Sequence, residues 1–197
     1  MTYRDADERG KTRLSPYLTL ADFCTCTQTY RRYAGQIDPF PSHWDETIPA
    51  LKSLCSEILT PIIEMFGYDQ FLLTYGFCSK DLKRWLAKKD PETGLKNGRV
   101  TPSLDQHMAH EVNRNGKYYC DRLGAACDFR IVDVGSDVVV EWIVTERLPF
   151  DSLYYYGAER PIHISYGPQH KRDIWTFTKK GTPTRKGVER WIDKIMR

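Results

Sequence analysis

A few stretches hold residue types that could do chemistry. Asp128 closes the run Gly124-Ala125-Ala126-Cys127-Asp128, in which three small residues clear space beside one carboxylate. His163 lies in Pro161-Ile162-His163-Ile164-Ser165-Tyr166, whose alternation is that of a strand and puts His163, Ser165 and Gly167 on one face. His107 and His110 stand three apart in Asp105-Gln106-His107-Met108-Ala109-His110-Glu111, a spacing that a helix places on one side with Glu111 next to His110. Imidazoles and a carboxylate are the donors of a catalytic zinc site, which takes three protein ligands and keeps a fourth position open for water. Such an ion brings the pKa of its water down to about 7. The His-x-x-His-Glu order differs from the zinc-protease spelling, where Glu follows the first of two His at i, i+4. A buried strand histidine and a polar helix face account for the same residues without a metal. His43, beside Trp44 in a Pro-rich connection, reads as structural, and His170 falls in a polar loop.

The elements that must position these residues follow from the hydrophobic pattern. Thr19, with Asp22 three residues on, opens a helix over Thr19–Arg32. Leu51, Leu54, Ile58, Leu59, Ile62 and Met65 recur at helical spacing from Ile48 to Gly67, with a kink expected at Pro61. Gln70–Phe77 reads as a strand, and Ser79 caps a short helix to Lys89. Asp90–Pro102 is turn chemistry, and Ser103 opens a further helix that runs toward Gly116. Strands follow around Ala126–Val132, Ser152–Tyr156, Pro161–Tyr166 and Arg172–Lys179, with a helix around Val138–Glu146 and a basic amphipathic helix closing the chain. Helices first and mixed strands and helices after define an α+β fold.

The 197 residues suit one domain, expected over 16–197 behind a flexible arm at 1–15. At 41% apolar and 13% aromatic the chain is no disordered sequence, and a net charge of +3 is too small to indicate nucleic acid. Only the segment from Lys171 onward is distinctly basic. No apolar run reaches the ~18 residues of a membrane span, and the polar N-terminus lacks a signal-peptide core, so a cytoplasmic protein is expected. The six cysteines, including the pair Cys24 and Cys26, are then expected as free thiols.

Taken in order, several stretches resemble the M15 peptidases, the zinc D-Ala-D-Ala carboxypeptidases and phage L-alanyl-D-glutamate endopeptidases of the Hedgehog/DD-peptidase fold. Leu14–Cys26 is similar to the family's opening segment, Pro49–Gly67 to its long helix, and Leu72–Ser79 to its Ser-Gly-Tyr-Arg-Ser-like strand and turn. Leu123–Asp128 resembles the Gly-x-Ala-x-Asp half of its metal motif, and Pro149–Gly157 with Pro161–Pro168 its last strands. The resemblance implies a small, mostly antiparallel sheet with flanking helices, here with a helical insertion around residues 80–118.

It also implies roles. Asp128 matches the ligand Asp and His163 the last ligand His. The first ligand His would stand seven residues before the Asp, where this chain has Asp121. Either Asp121 binds, giving a site that suits manganese or iron better than zinc, or His107 of Asp105-Gln106-His107 binds, displaced by an insertion. Displacement is preferred, because coordination requires convergence in space and no fixed spacing. The family's substrate-gripping Arg falls on Cys78, which cannot clamp a carboxylate, so Arg84 or Arg99 would have to replace it. The general base falls to Glu111 or Glu159, with Tyr156 where some members carry Glu. The implied activity is zinc-dependent hydrolysis of peptide amides, with a cell-wall fragment as the default substrate or a changed one. The alternative is an inactive fold used as a binding module, including for nucleic acid through Tyr154–Tyr156 and the basic C-terminal helix.

Overall fold

A computed structural model describes residues 8–177 and 182–187. The chain is mixed α+β, built on a six-stranded sheet with helices against one face. In chain order the main elements are α1 (Leu20–Thr25), α2 (Gln28–Tyr33), α3 (Trp44–Leu54), α4 (Thr60–Phe66), β1 (Phe71–Tyr75) and α5 (Lys80–Ala87). After a long irregular segment come β2 (Ala125–Ile131), α6 (Ser136–Thr145), β3 (Ser152–Tyr155), β4 (Ile162–Tyr166), β5 (Asp173–Phe177) and β6 (Pro183–Gly187). The strand order is β1-β2-β4-β3-β5-β6, antiparallel throughout except for the parallel β3–β5 pair.

The capping box read at Thr19 forms: its hydroxyl accepts from the Asp22 amide, and the Asp22 carboxylate accepts from the Thr19 amide at 2.7 Å. The expected single helix breaks at Cys26, because Thr27 caps a new one through the Tyr30 amide. The kink at Pro61 takes the form of a π-turn at Cys55–Leu59, where the Thr60 amide reaches back to the Cys55 carbonyl. Proline offers no amide to the helix ladder, and a widened turn just before it absorbs the mismatch.

The strand residues alternate by face. Cys127, Phe129, Leu153, Ile162, Ile164 and Ile174 point into the core, where α3 packs on β2 and β4 and α6 packs on β2 and β3. A smaller apolar cluster of Ile37, Cys78, Leu82, Leu86 and Met108 joins α5 to the irregular segment.

Three expectations are corrected. The arm at 1–15 is packed in its described part: Leu14 is buried in the core, and Arg13 bridges to Thr19. The insertion around 80–118 is helical only in α5; the helix expected from Ser103 is absent. Asp105 caps a single 3₁₀ turn at Gln106–His107–Met108, and residues 111–119 double back, with Tyr119 N–H donating to the Glu111 carbonyl and Val112 bridging Tyr118. Asn113 accepts from the Asn115 and Lys117 amides, so Asn-x-Asn-Gly makes a turn where helical periodicity was read. The basic C-terminal helix is replaced over Pro183–Gly187 by strand β6; residues 188–197 lie outside the described residues.

Candidate metal centre

The floor of the site is one row of residues across the sheet. Tyr75 of β1 pairs with Asp128 of β2, Asp128 with His163 of β4, His163 with Tyr154 of β3, and Tyr154 with Trp175 of β5. Neighbouring strands lie about 4.8 Å apart, so same-face residues in register stand side by side. Tyr75 joins the row through an irregularity: Leu73 opposes Phe129 but Tyr75 opposes Asp128. The extra residue, Thr74, sends its hydroxyl to the Asp128 carbonyl at 3.0 Å. Without this bulge Tyr75 would share the core face of Leu73.

His107 arrives from the irregular segment. Met108 beside it is fully buried with Leu82 and Leu86, a burial worth roughly 1.5–3 kcal/mol that anchors the turn. The His107 carbonyl accepts from the Cys78 amide at 3.0 Å, and its Nδ1 lies 2.7 Å from the Gly76 carbonyl. That carbonyl requires a proton on Nδ1, which leaves Nε2 as the free lone pair on the side of Asp128. Gly76 is held hard against α1, since a Cβ there would lie 2.4 Å from the Phe23 carbonyl oxygen.

His107, Asp128 and His163 thus meet, with one ligand atom of each within 4.8 Å of the others. Asp128 Oδ1 lies 2.8 Å from His163 Nδ1 and 3.4 Å from His107 Nε2. Ligands around a tetrahedral zinc sit about 3.3 Å apart. His163 faces Asp128 with Nδ1, and its buried Nε2 has no hydrogen-bond partner among the described residues. The donor set and its spacing fit a divalent cation. Tyr75 meets His107 edge-on at 4.4 Å and Tyr154 stacks on His163 at 4.4 Å, so the imidazoles form the middle of an aromatic column.

Burial opposes a charge on Asp128, but the neighbouring imidazoles, His107 foremost, outweigh it and hold the carboxyl well below the usual carboxylate range. Burial likewise opposes a charge on His107, and Asp128 overrides it, raising His107 above the ordinary 6.5. The metal-free protein therefore draws stability from Asp128 above the unfolded carboxyl value of about 3.9, lost as pH falls through its lower folded value. The His107 contribution is complete below 6.5 and lost as pH rises through the higher folded value. With a chelator present, the melting temperature is expected to fall as pH rises above 6.5, and with excess zinc to rise, because binding competes with protons for the imidazoles. Thermal melts of the two forms across pH 5–8.5 test this; parallel curves would sink it.

The cluster opens into a cleft of about 180 Å³ walled by Tyr75, Val100, Thr101, Asp105, Tyr154, Tyr156 and Arg99. Asp128 is 30% exposed, enough to face a ligand in the cleft. Arg99 has no ion pair or hydrogen bond among the described residues.

The expected site residues divide sharply. His107, Asp128, His163 and Tyr156 come together, whereas Asp121 is exposed in the turn ahead of β2 and outside the cluster. Glu111 is fully buried elsewhere, its Oε1 accepting from the Ser42 amide at 2.6 Å and its Oε2 lying 3.4 Å from Lys80 Nζ. It staples the 111–119 turn to the Pro-rich connection and does not line the cleft. Glu159 sits exposed on a surface turn. Arg84 points to solvent and pairs with Asp81 at 3.2 Å. Cys78 is buried in the smaller apolar cluster, where burial pushes its thiol up to about 12. His110 lies behind the site, against Gly124 and Ala125. Asp105 was missed as a cleft acid; its signal was its place two residues before His107, visible only once the helix reading is abandoned. Nor does Cys24 or Cys26 form a disulfide: all six cysteines are free thiols.

No family model, curated protein or solved structure matches the chain. Among the described residues, no helix is long and apolar enough to cross a membrane.

Proposed function

We propose that the chain is a zinc-dependent hydrolase on a Hedgehog/DD-peptidase-like fold, a divergent relative of the M15 peptidases, that cleaves an amide beside an anionic group. The convergence of His107, from an irregular insertion, with Asp128 and His163 on neighbouring strands carries this reading. It supports the displaced arrangement, with His107 in place of the family's ligand seven residues before the Asp. A zinc ion held by these three residues supplies a Lewis acid and a water that ionises near neutral pH. Asp105 takes the role that Glu111 and Glu159 are placed too far away to fill: it accepts the proton from water in the cleft and passes it to the leaving amine. Its carboxylate is held in place by the Thr101 amide, 3.2 Å from Oδ2. Arg99, at the cleft wall and without an ion pair among the described residues, grips the substrate's carboxylate in the role that Cys78 cannot fill. Tyr154 and Tyr156 cover the substrate's apolar part.

Metal analysis of protein purified without chelator, followed by assays for new amines on peptidoglycan-type peptides with free carboxylates, tests the proposal. One zinc per chain and turnover are expected. Asp105→Asn should then lower kcat by 10²–10⁴-fold, the usual contribution of a general base, at an unchanged metal content. Arg99→Ala should act mainly through KM. Stoichiometric metal with no turnover on any amide substrate would instead favour the binding-module reading.

A further inference from the structure

The metal cluster is assembled from two halves that are far apart in sequence. Asp128 and His163 sit on paired strands, where the sheet fixes their backbone. His107 sits on a 3₁₀ turn at the end of a segment with little regular structure, so its position depends on a few tertiary ties. One side chain touches both halves. Tyr154 stands directly opposite His163 in the β3–β4 register, and its ring lies on the imidazole with centroids 4.4 Å apart and planes 23° apart. Its hydroxyl donates to the Leu104 carbonyl at 3.3 Å. Leu104 immediately precedes Asp105, the cap of the turn that carries His107. Trp175 and Phe177 meet the Tyr154 ring edge-on at 6.4 and 6.2 Å, which restricts where that ring can go.

We propose that Tyr154 is a positioning residue for this centre: its ring sets the plane of His163, and its hydroxyl ties down the loop that presents Asp105 and His107. The proposal rests on the reading of the cluster as a metal site and is independent of which bond the protein cleaves. A stacked ring leaves an imidazole free to slide in its plane but not to tilt, which is the constraint a ligand nitrogen needs. The hydroxyl bond is exposed to solvent and modest by itself. It adds to the ties that Gln106 makes to Leu123 and Asp151 and His107 to Gly76 and Cys78, and it is the one made from Leu104, ahead of the Asp105 cap.

Two variants separate the functions of ring and hydroxyl. Tyr154→Phe keeps the stack and removes the tie; Tyr154→Leu removes both. Cobalt(II) bound in place of zinc reports ligand geometry through its visible spectrum, and amide hydrogen exchange on chelator-treated protein reports the loop. Tyr154→Phe is expected to keep the wild-type cobalt spectrum, lose about tenfold in cobalt affinity, as for loss of an outer-shell partner, and exchange faster over residues 101–107. Tyr154→Leu is expected to alter the spectrum and lose about a hundredfold. Thermal melts show whether each variant is folded, and Tyr156→Leu, which removes a neighbouring aromatic that does not stack on His163, serves as the comparison. An unchanged spectrum and affinity in folded Tyr154→Leu would overturn the ring's role; unchanged exchange in Tyr154→Phe would overturn the tie. If wild-type protein takes up no cobalt, the metal reading itself fails, while the exchange experiment still decides the tie.

Discussion

Asp128→Ala, purified without chelator, is expected to contain almost no metal and to lose all metal-dependent activity. Asp128 is the only anion in the ligand set, and it bridges the two imidazoles at 2.8 and 3.4 Å. Removing a group that only orients a ligand costs 10–100-fold in metal affinity; removing the charged ligand itself should cost at least about 100-fold. Asp128→Asn should lose metal as well, because it keeps one acceptor oxygen but no charge. It should also weaken the fall in metal-free stability above pH 6.5, since Asp128 contributes most to the raised affinity of His107 for its proton, ahead of Asp105 and the Gly76 carbonyl. Asp121→Ala is the matched control: Asp121 is exposed and outside the cluster, so its metal content should equal that of wild type. Metal retained in Asp128→Ala and lost in Asp121→Ala would reverse the assignment of the first ligand.

Gly124→Ala is expected to damage the protein nearly as much without touching a ligand. Gly124 has φ of +82°, and a Cβ there would lie 2.1 Å from the Tyr166 carbonyl oxygen and 2.6 Å from Gly167 Cα. The left-handed conformation costs an L-residue about 1–2 kcal/mol, and forcing a methyl into packed backbone about 1–3 kcal/mol. The sum, about 2–5 kcal/mol, is a large share of a total of about 5–15 kcal/mol. In a chain of this size it lowers the melting temperature by on the order of 10 °C. Because Ala125 to Asp128 follow directly and pair with β4, the strain should also reduce metal affinity in whatever fraction folds. A melt within about 2 °C of wild type would show that the backbone there yields more easily than its packing suggests.

Much of the strand half of the site was legible from the pattern of residue types. The small residues before Asp128 do press against another segment, the end of β4, and the alternation around His163 does put Ile162 and Ile164 in the core and His163 on the opposite face. Period-two patterns report burial on two faces of a sheet directly, so they survive folding unchanged. The loop half was misread. Ser103–Gly116 carries helical spacing, yet Asp105 caps at the third residue and Asn-x-Asn-Gly reverses the chain, so local turn chemistry won over periodicity. Of the two proposed glutamates, Glu159 came from the resemblance and sits exposed on a surface turn, and only Glu111 depended on the helix. Glu111 was placed beside His110 by helical geometry, and without the helix it is drawn into a buried pair with Lys80.

The sequence by itself determined the α+β class, most of the strands, the kink before Pro61, and Asp128 and His163 as candidates on two separate strands. These rest on near-neighbour physics: caps, turns, missing amides and burial periodicity. Only the tertiary structure decided that His107 and not Asp121 completes the cluster, that Asp105 and Arg99 share its cleft, and that Cys78, Arg84, Glu111 and Glu159 do not. Those choices depend on how an irregular segment closes over the sheet. That closure is set by the burial of Met108, the Gly76 carbonyl and the Cys78 amide, contacts between residues about thirty positions apart that no local spacing encodes.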